Sequence, residues 1–159
     1  MSTDDSIFLA GNDPLGEVAG WLGAALGLEP VDDPELKDGV FLFRGSARTV
    51  AGDLFVLVEP NVYGEIDPEP EDVSAIDGYQ GVADVRYAGS KDEELQEREA
   101  RALFDELAAR QPGVAMVLAH NMALLTAAYL PGAGIKTFPP RTTLDAADLN
   151  VWRPWVVTT

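Results

Sequence analysis

The chain has 159 residues, 47% of them hydrophobic, with 27 acids against 11 Lys and Arg and a formal net charge of -16. The length suits one domain, and the apolar content is enough for a core, so global disorder is not expected. The charge argues against binding nucleic acid or anionic lipid, which needs clustered Lys and Arg, and the lack of cysteine excludes disulfides, thiolate metal sites and cysteine nucleophiles.

Residues 6–10 are a short apolar run and predict a first strand. Asp13 is placed to cap a helix, and Pro14 suits its first position. Leu15, Val18, Leu22, Ala25 and Leu26 recur at helical spacing, with Gly27 and Pro30 as the stop, so a helix is expected over 14–26. Residues 28–39, with Pro30, Asp32, Asp33, Pro34 and Gly39, read as an acidic loop. Two strands follow at 40–44 and 53–59, joined by a polar hairpin connection. Residues 61–80 have no sustained apolar period and read as a long surface loop, a length that is often functional. Residues 81–88 predict another strand.

The clearest helix opens at Ser90, where Ser90 and Glu93 have capping-box spacing. Leu95, Ala102, Leu103, Phe104 and Leu107 supply its apolar face. Glu94–Arg98, Glu97–Arg101 and Glu106–Arg110 have the i,i+4 spacing of ion pairs, and Pro112-Gly113 ends it. Residues 114–130 fit a hairpin turning at His120-Asn121, with Asn121 tolerating positive φ. A single helix across 114–130 is the alternative, since periodicity alone does not separate the two. A return strand at 135–138, a helical turn near 144–148 and a tail carrying Trp152 and Trp155 complete the chain. The order strand, helix, three strands thus occurs twice, over 6–88 and 81–138, without a repeat of residues.

The run 114–130 is interrupted by His120, Asn121 and Thr126 and is too short for a membrane span. Residues 1–7 hold Asp4 and Asp5 and no basic residue, unlike a secretory signal, so a soluble cytoplasmic protein is expected.

Charge is distributed unevenly. From Thr49 through Val85 there is no Lys, Arg or His, against nine acids, and the first 43 residues hold nine acids against the single Lys37. Like charges repel across a folded surface, so such one-sidedness points to a basic partner, to solubility pressure or to a salty habitat. Within the loop, Glu65, Asp67, Glu69, Glu71, Asp72 and Asp77 lie between Tyr63 and Tyr79. Acids beside aromatic anchors suit a basic protein surface, the rings for burial and the carboxylates for steering. A solvated loop is the plainer reading. The spacing is not that of an EF-hand, so no metal is expected there.

His120 is the only histidine. With no carboxylate or second imidazole beside it in sequence, a structural role in the turn outweighs a metal or catalytic one. No G-x-S-x-G, G-x-G-x-x-G or P-loop pattern occurs. Trp152-Arg153-Pro154-Trp155 reads as a cover over a core edge.

Leu26-Gly-Leu-Glu-Pro30 after the first helix, the long helix ending at Pro112-Gly113, the 114–130 hairpin around Asn121 and the late Asn150-Val-Trp152 together resemble small bacterial immunity proteins of the Sit contact-dependent toxin group. The resemblance covers about two-thirds of the chain, in order and in short patches. The family's Asn-Gly-Glu in the late hairpin is here His120-Asn121-Met122, and residues 61–80 have no counterpart. It implies a non-enzymatic protein that neutralises a toxin by binding it.

The expectation is therefore one α+β domain over 1–159, a mostly antiparallel sheet of six or seven strands with two helices packed on one face. Functionally it is a non-enzymatic immunity or inhibitor protein without cofactor. Its partner is a basic toxin, a nuclease being the leading class, and its contacts are Tyr63, Glu65, Asp67, Glu69, Glu71, Asp72, Asp77 and Tyr79. The alternatives are a small-ligand domain or enzyme with a site near His120 and Arg141, and an oligomerising module built on Trp152 and Trp155.

Overall fold

The first apolar run becomes the middle of the sheet. In the computed structural model, which describes residues 4–158, β1 (Asp5–Leu9) is buried at all five positions. It lies between β5 (Gly81–Tyr87) and β6 (Met116–His120), antiparallel to both. A strand covered on both faces is apolar at nearly every residue, which explains Ile7, Phe8 and Leu9 in succession. Around this centre run β2 (Glu29–Val31), β3 (Phe41–Ser46) and β4 (Asp53–Pro60) on one side, and β7 (Leu124–Leu130) and β8 (Gly134–Thr137) on the other. Among the described residues the sheet order is β2-β3-β4-β5-β1-β6-β7-β8.

The domain is α+β, but its sheet has eight strands rather than six or seven. The additional one is β2, inside the stretch read as an acidic loop. It is a three-residue edge strand, Glu29-Pro30-Val31, with no apolar alternation. Proline is tolerated there because an edge strand leaves one side of its backbone unpaired.

Alternation along the strands divides the core in two. Ile7, Leu9, Leu54, Val56, Val58, Ala83, Val85, Met116 and Leu118 face a layer made by α1 (Leu15–Leu26) and α2 (Glu93–Arg110). Both long helices are thus on one face, as expected. The opposite face is also covered. Phe8, Val82, Val117, Ala119 and Ala128 pack against Ala75, Ile76, Tyr79, Phe138, Leu144, Trp152 and Val156. Those covering residues come from the second half of the 61–80 loop and from the tail, which holds a third, one-turn helix, α3 (Leu149–Trp152).

Local chemistry explains the helix ends. Gly27 closes α1 at φ 64, the left-handed conformation that glycine adopts without a Cβ penalty. Pro14 occupies the cap position of α1, and no side chain caps it, so Asp13 does not play the expected part. The capping box at Ser90–Glu93 is also corrected. Asp92 is the cap, its Oδ1 accepting from the N–H groups of Glu94 and Leu95 at 3.0 and 3.3 Å. A carboxylate there suits the positive end of the helix, and Glu93 becomes the first helical residue with its side chain free for other contacts.

The 114–130 segment is the hairpin, not a helix. His120 C=O accepts from the Ala123 N–H at 3.1 Å across Asn121 (φ 53) and Met122 (φ 55), the double positive φ of a primed hairpin turn. Asn121 is as expected; a methionine in that conformation is uncommon. The register shifts between Leu118 and Ala119, placing Thr126 as an extra residue in β7.

The order strand, helix, three strands recurs, but not over 6–88 with 81–88 shared: the units are β1 α1 β2 β3 β4 and β5 α2 β6 β7 β8, the unforeseen β2 taking the place of β5 in the first. The wiring differs. After α1 the chain goes to the sheet edge and walks inward to β4, whereas after α2 it enters beside β1 and walks outward to β8.

Candidate functional site

The acidic loop is a built structure rather than a slack connection. Asn61 donates through Nδ2 to the carbonyls of Ile76 and Tyr79 at 2.9 and 2.8 Å, and its Oδ1 accepts from the N–H groups of Tyr63 and Gly64. Asp77 ties the other side, accepting from the N–H of Glu65 at 3.1 Å and of Ser74 at 2.8 Å. These bonds hold residues 62–72 out from the sheet while 75–79 cover it.

The predicted contact residues therefore separate. Tyr63, Glu65, Asp67, Glu69, Glu71 and Asp72 are exposed. Asp77 is spent on the loop's own backbone. Tyr79 is buried in the second core layer, where its hydroxyl accepts from the Val157 N–H at 3.1 Å, so it offers a partner no ring face. Burial pushes its phenol up to about 12. Sequence placed Tyr79 beside the acids but gave no sign of which face of the loop it would take.

Two apolar residues that the sequence reading passed over stand out instead. Ile66 is 92% exposed and Val62 75%, next to Tyr63 at 51%. Three of the five exposed large hydrophobics of the described residues thus fall within five positions of the acidic loop. Among the described residues, none of Glu65, Asp67, Glu69, Glu71 and Asp72 takes part in an ion pair. On the adjoining strands, Glu59 is pushed above the usual carboxylate range by burial and by Asp84, and the Tyr63 phenol is raised by burial and then by Asp84, Glu59 and Asp4. At the base of the loop a cavity of about 380 Å³ opens between Asp67, Pro70, Val73 and Asp77 on one side and Trp152 and Arg153 on the other.

A second cluster lies on the helical face of the sheet. His120 ends β6 opposite Asp5, at paired register positions of the β1–β6 ladder. Asp5 Oδ1 lies 2.9 Å from His120 Nδ1, and Gln96 of α2 donates to Asp5 Oδ2 at 3.1 Å. Gln96 is fixed in turn by the Val85 carbonyl and the Tyr87 N–H. The far side of the imidazole meets the first turns of α2, with Nε2 3.0 Å from Glu93 Oε1 and 3.0 Å from Glu97 Oε1. Burial works against the charged imidazole, but hydrogen bonds to Asp5 and Glu93 and the charges of Asp5 and Glu97 outweigh it and raise its pKa. Asp5 is raised by burial, opposed by its bonds to His120 and Gln96.

His120 thus has three carboxylates around it, although none is adjacent in sequence. The i,i+4 spacing of Glu93 and Glu97 was the available signal, and it pointed elsewhere. Glu97 is not paired with Arg101, which binds Asp105 at 2.8 Å and Thr137 Oγ1; Arg98 donates to Thr49 Oγ1. Only Glu106–Arg110 of the three expected pairs forms, at 3.5 Å. Among the described residues no serine or threonine hydroxyl bonds the imidazole, whose partners are Asp5, Glu93, Glu97 and Asn121. Arg141 is an exposed turn residue at φ 71, and neither it nor His120 lines the 380 Å³ cavity or the 630 Å³ cleft between α1 and the β2–β3 connection.

Trp152 is buried and donates to the Asp145 carbonyl at 3.1 Å, as expected of a core cover; Trp155 is half-buried with the Lys136 ammonium 5.7 Å from its ring centre. Among the described residues no helix is long and apolar enough to cross a membrane. No family model, curated protein or solved structure matches the chain.

Proposed function

We propose that the chain is a non-enzymatic binding protein that neutralises a basic partner by covering its electropositive surface with the 62–72 loop. The observation that carries this reading is Ile66, with Val62 and Tyr63, exposed amid acids that form no ion pair among the described residues. A large apolar side chain held in water by a hydrogen-bonded loop gains by burial, roughly 2 kcal/mol for a full isoleucine. The surrounding Glu65, Asp67, Glu69, Glu71 and Asp72 choose a cationic surface for that burial and speed the encounter. The resemblance to immunity proteins makes a bacterial toxin the partner class, and a nuclease the form of it whose phosphate-binding surface these carboxylates would occupy.

The test is parallel capture from cell lysate with the wild-type chain and with an E65S/D67S/E69S/E71S variant, each washed at low and then high salt. A basic protein held by the wild type, released by salt and lost from the variant supports the reading when its own activity is blocked by the wild-type chain. Equal retention by both, or no basic protein on either, overturns it.

A further inference from the structure

We propose that His120 Nε2, Glu93 and Glu97 form a binding site for one divalent first-row transition ion, zinc fitting best, with Asp5 as the residue that orients the imidazole.

The three ligand atoms lie within 4.8 Å of one another, and both carboxylate oxygens are 3.0 Å from Nε2. Ligands bonded to zinc at 2.0–2.1 Å are about 3.3 Å apart in a tetrahedral shell and roughly 2.9 Å apart in an octahedral one. The two nitrogen–oxygen separations already fall between those values, and the two carboxylate oxygens lie within 4.8 Å of each other, so rotation of the half-exposed glutamates can close the shell around an ion. Glu93 and Glu97 are one helical turn apart and reach the same point from α2, while His120 comes from the end of β6.

The imidazole is set for this role from behind. A histidine that binds a metal through Nε2 ordinarily donates its Nδ1–H to a carboxylate or carbonyl, which fixes tautomer and ring plane. Here Asp5 accepts at 2.9 Å and is itself held by Gln96, whose other contacts are strand backbone. With Nδ1–H given to Asp5, the Nε2 lone pair points at two carboxylates and is repelled by both. If Nε2 is protonated as well, one proton serves two carboxylates, and three acids surround the single positive charge of the imidazolium. A divalent cation relieves either arrangement.

Exposure allows entry. The His120 side chain is 8% exposed, whereas those of Glu93 and Glu97 are 60% and 50% exposed. The ring is held rigidly while the carboxylates border solvent, leaving room for water to complete the shell. Asn121 Nδ2, 3.3 Å from Nε2, would turn aside. One imidazole with carboxylates and no thiolate favours zinc, cobalt or manganese over the all-oxygen preference of magnesium and calcium.

The test uses zinc chloride and cobalt(II) chloride with the full chain at neutral pH. Calorimetry measures stoichiometry. Because His120 is the only histidine, imidazole ¹⁵N resonances report its ligation without assignment. One equivalent bound, with Nε2 shifting and Nδ1 keeping its proton, is the expected result. E93Q/E97Q removes two of three ligands from half-exposed positions; with an unchanged circular dichroism spectrum it should bind at least 100-fold more weakly. E65S/D67S/E69S/E71S should bind as the wild type does. The absence of saturable binding, an unmoved Nε2 resonance, or a loss of binding in the loop variant but not in E93Q/E97Q overturns the proposal. The loop variant also separates this site from the proposed partner surface, since each can fail alone.

Discussion

Asp5 and His120 meet across the β1–β6 ladder with Oδ1 and Nδ1 2.9 Å apart, both side chains all but removed from water. A buried, hydrogen-bonded acid–imidazole pair is costly to break from one side, because the remaining group stays desolvated. Asp5→Asn should lower unfolding free energy by roughly 2–4 kcal/mol, read from urea denaturation. Glu93→Gln, altering a half-exposed partner of the same ring, should cost below about 1 kcal/mol. Equal costs would mean that the two sides of the imidazole are not differently buried.

Glu99 supplies a second buried carboxylate with a different task. It is fully buried on α2 and accepts from the N–H groups of Arg48 and Thr49 and from Thr49 Oγ1, joining the β3–β4 connection to the helix. Arg48 continues the joint to Glu106 at 3.0 Å and to the Leu26 carbonyl at the end of α1. Glu99→Ala leaves those donors unanswered. It should cost about 3 kcal/mol and make residues 47–52 the first site of limited proteolysis.

Tyr79 gives the chain an alkaline limit. Its pKa in the fold is about 12 against an ordinary 10.0 because burial disfavours the phenolate. The unfolded chain therefore loses this proton first. The stability associated with Tyr79 is complete below pH 10 and declines as pH rises toward 12, by about 3 kcal/mol for a two-unit difference. Tyr79→Phe should flatten that decline relative to wild type when unfolding is followed through tryptophan fluorescence, at the expense of the bond to Val157.

The layer opposite the helices is tested by its two tryptophans. Trp152→Ala should cost roughly 3–5 kcal/mol, through the cavity left in the second core and the loss of the bond to Asp145. Trp155→Ala should cost less, about 1–2 kcal/mol, since its ring is only half-buried where it packs against the edge of the second core and beneath Lys136.

For the loop, Val62→Ser with Ile66→Ser should leave stability within about 0.5 kcal/mol, measured by thermal denaturation, because neither side chain is in the core. A marked loss would show that these residues support the fold.

Much of the scaffold was legible because it rests on local chemistry. Leu15, Val18, Leu22 and Leu26 mark α1 at helical spacing, Gly27 stops it, and Asn121 turns the hairpin. What local chemistry does not carry was lost. Glu29-Pro30-Val31 has no pattern of its own and is a strand only because β3 lies beside it. The 61–80 stretch reads as surface in the sequence, although Ala75, Ile76 and Tyr79 cover Phe8 and Val82; three apolar residues in five positions, with Asp77 and Gly78 among them, span a single turn and are too few to establish a period. The His120 cluster joins four residues from three elements, and its only sequence mark, Glu93 with Glu97, was equally consistent with a cap and an ion pair. Charge types at the right spacing did not reveal which oppositely charged group geometry would favour.

The position of β1 also bears on how the protein is made. Phe8 pairs with Val82 on one side and Val117 on the other, so β1 has no neighbour until the chain has been translated past β5 and no second one until it has passed β6. Until then Ile7, Phe8 and Leu9 are bare on both faces, and the sheet cannot close around its own centre. Closure depends on contacts distant in sequence, which slows folding and prolongs the exposure of apolar segments. A nascent chain stalled before β5 would carry that strand uncovered, a natural target for ribosome-associated chaperones.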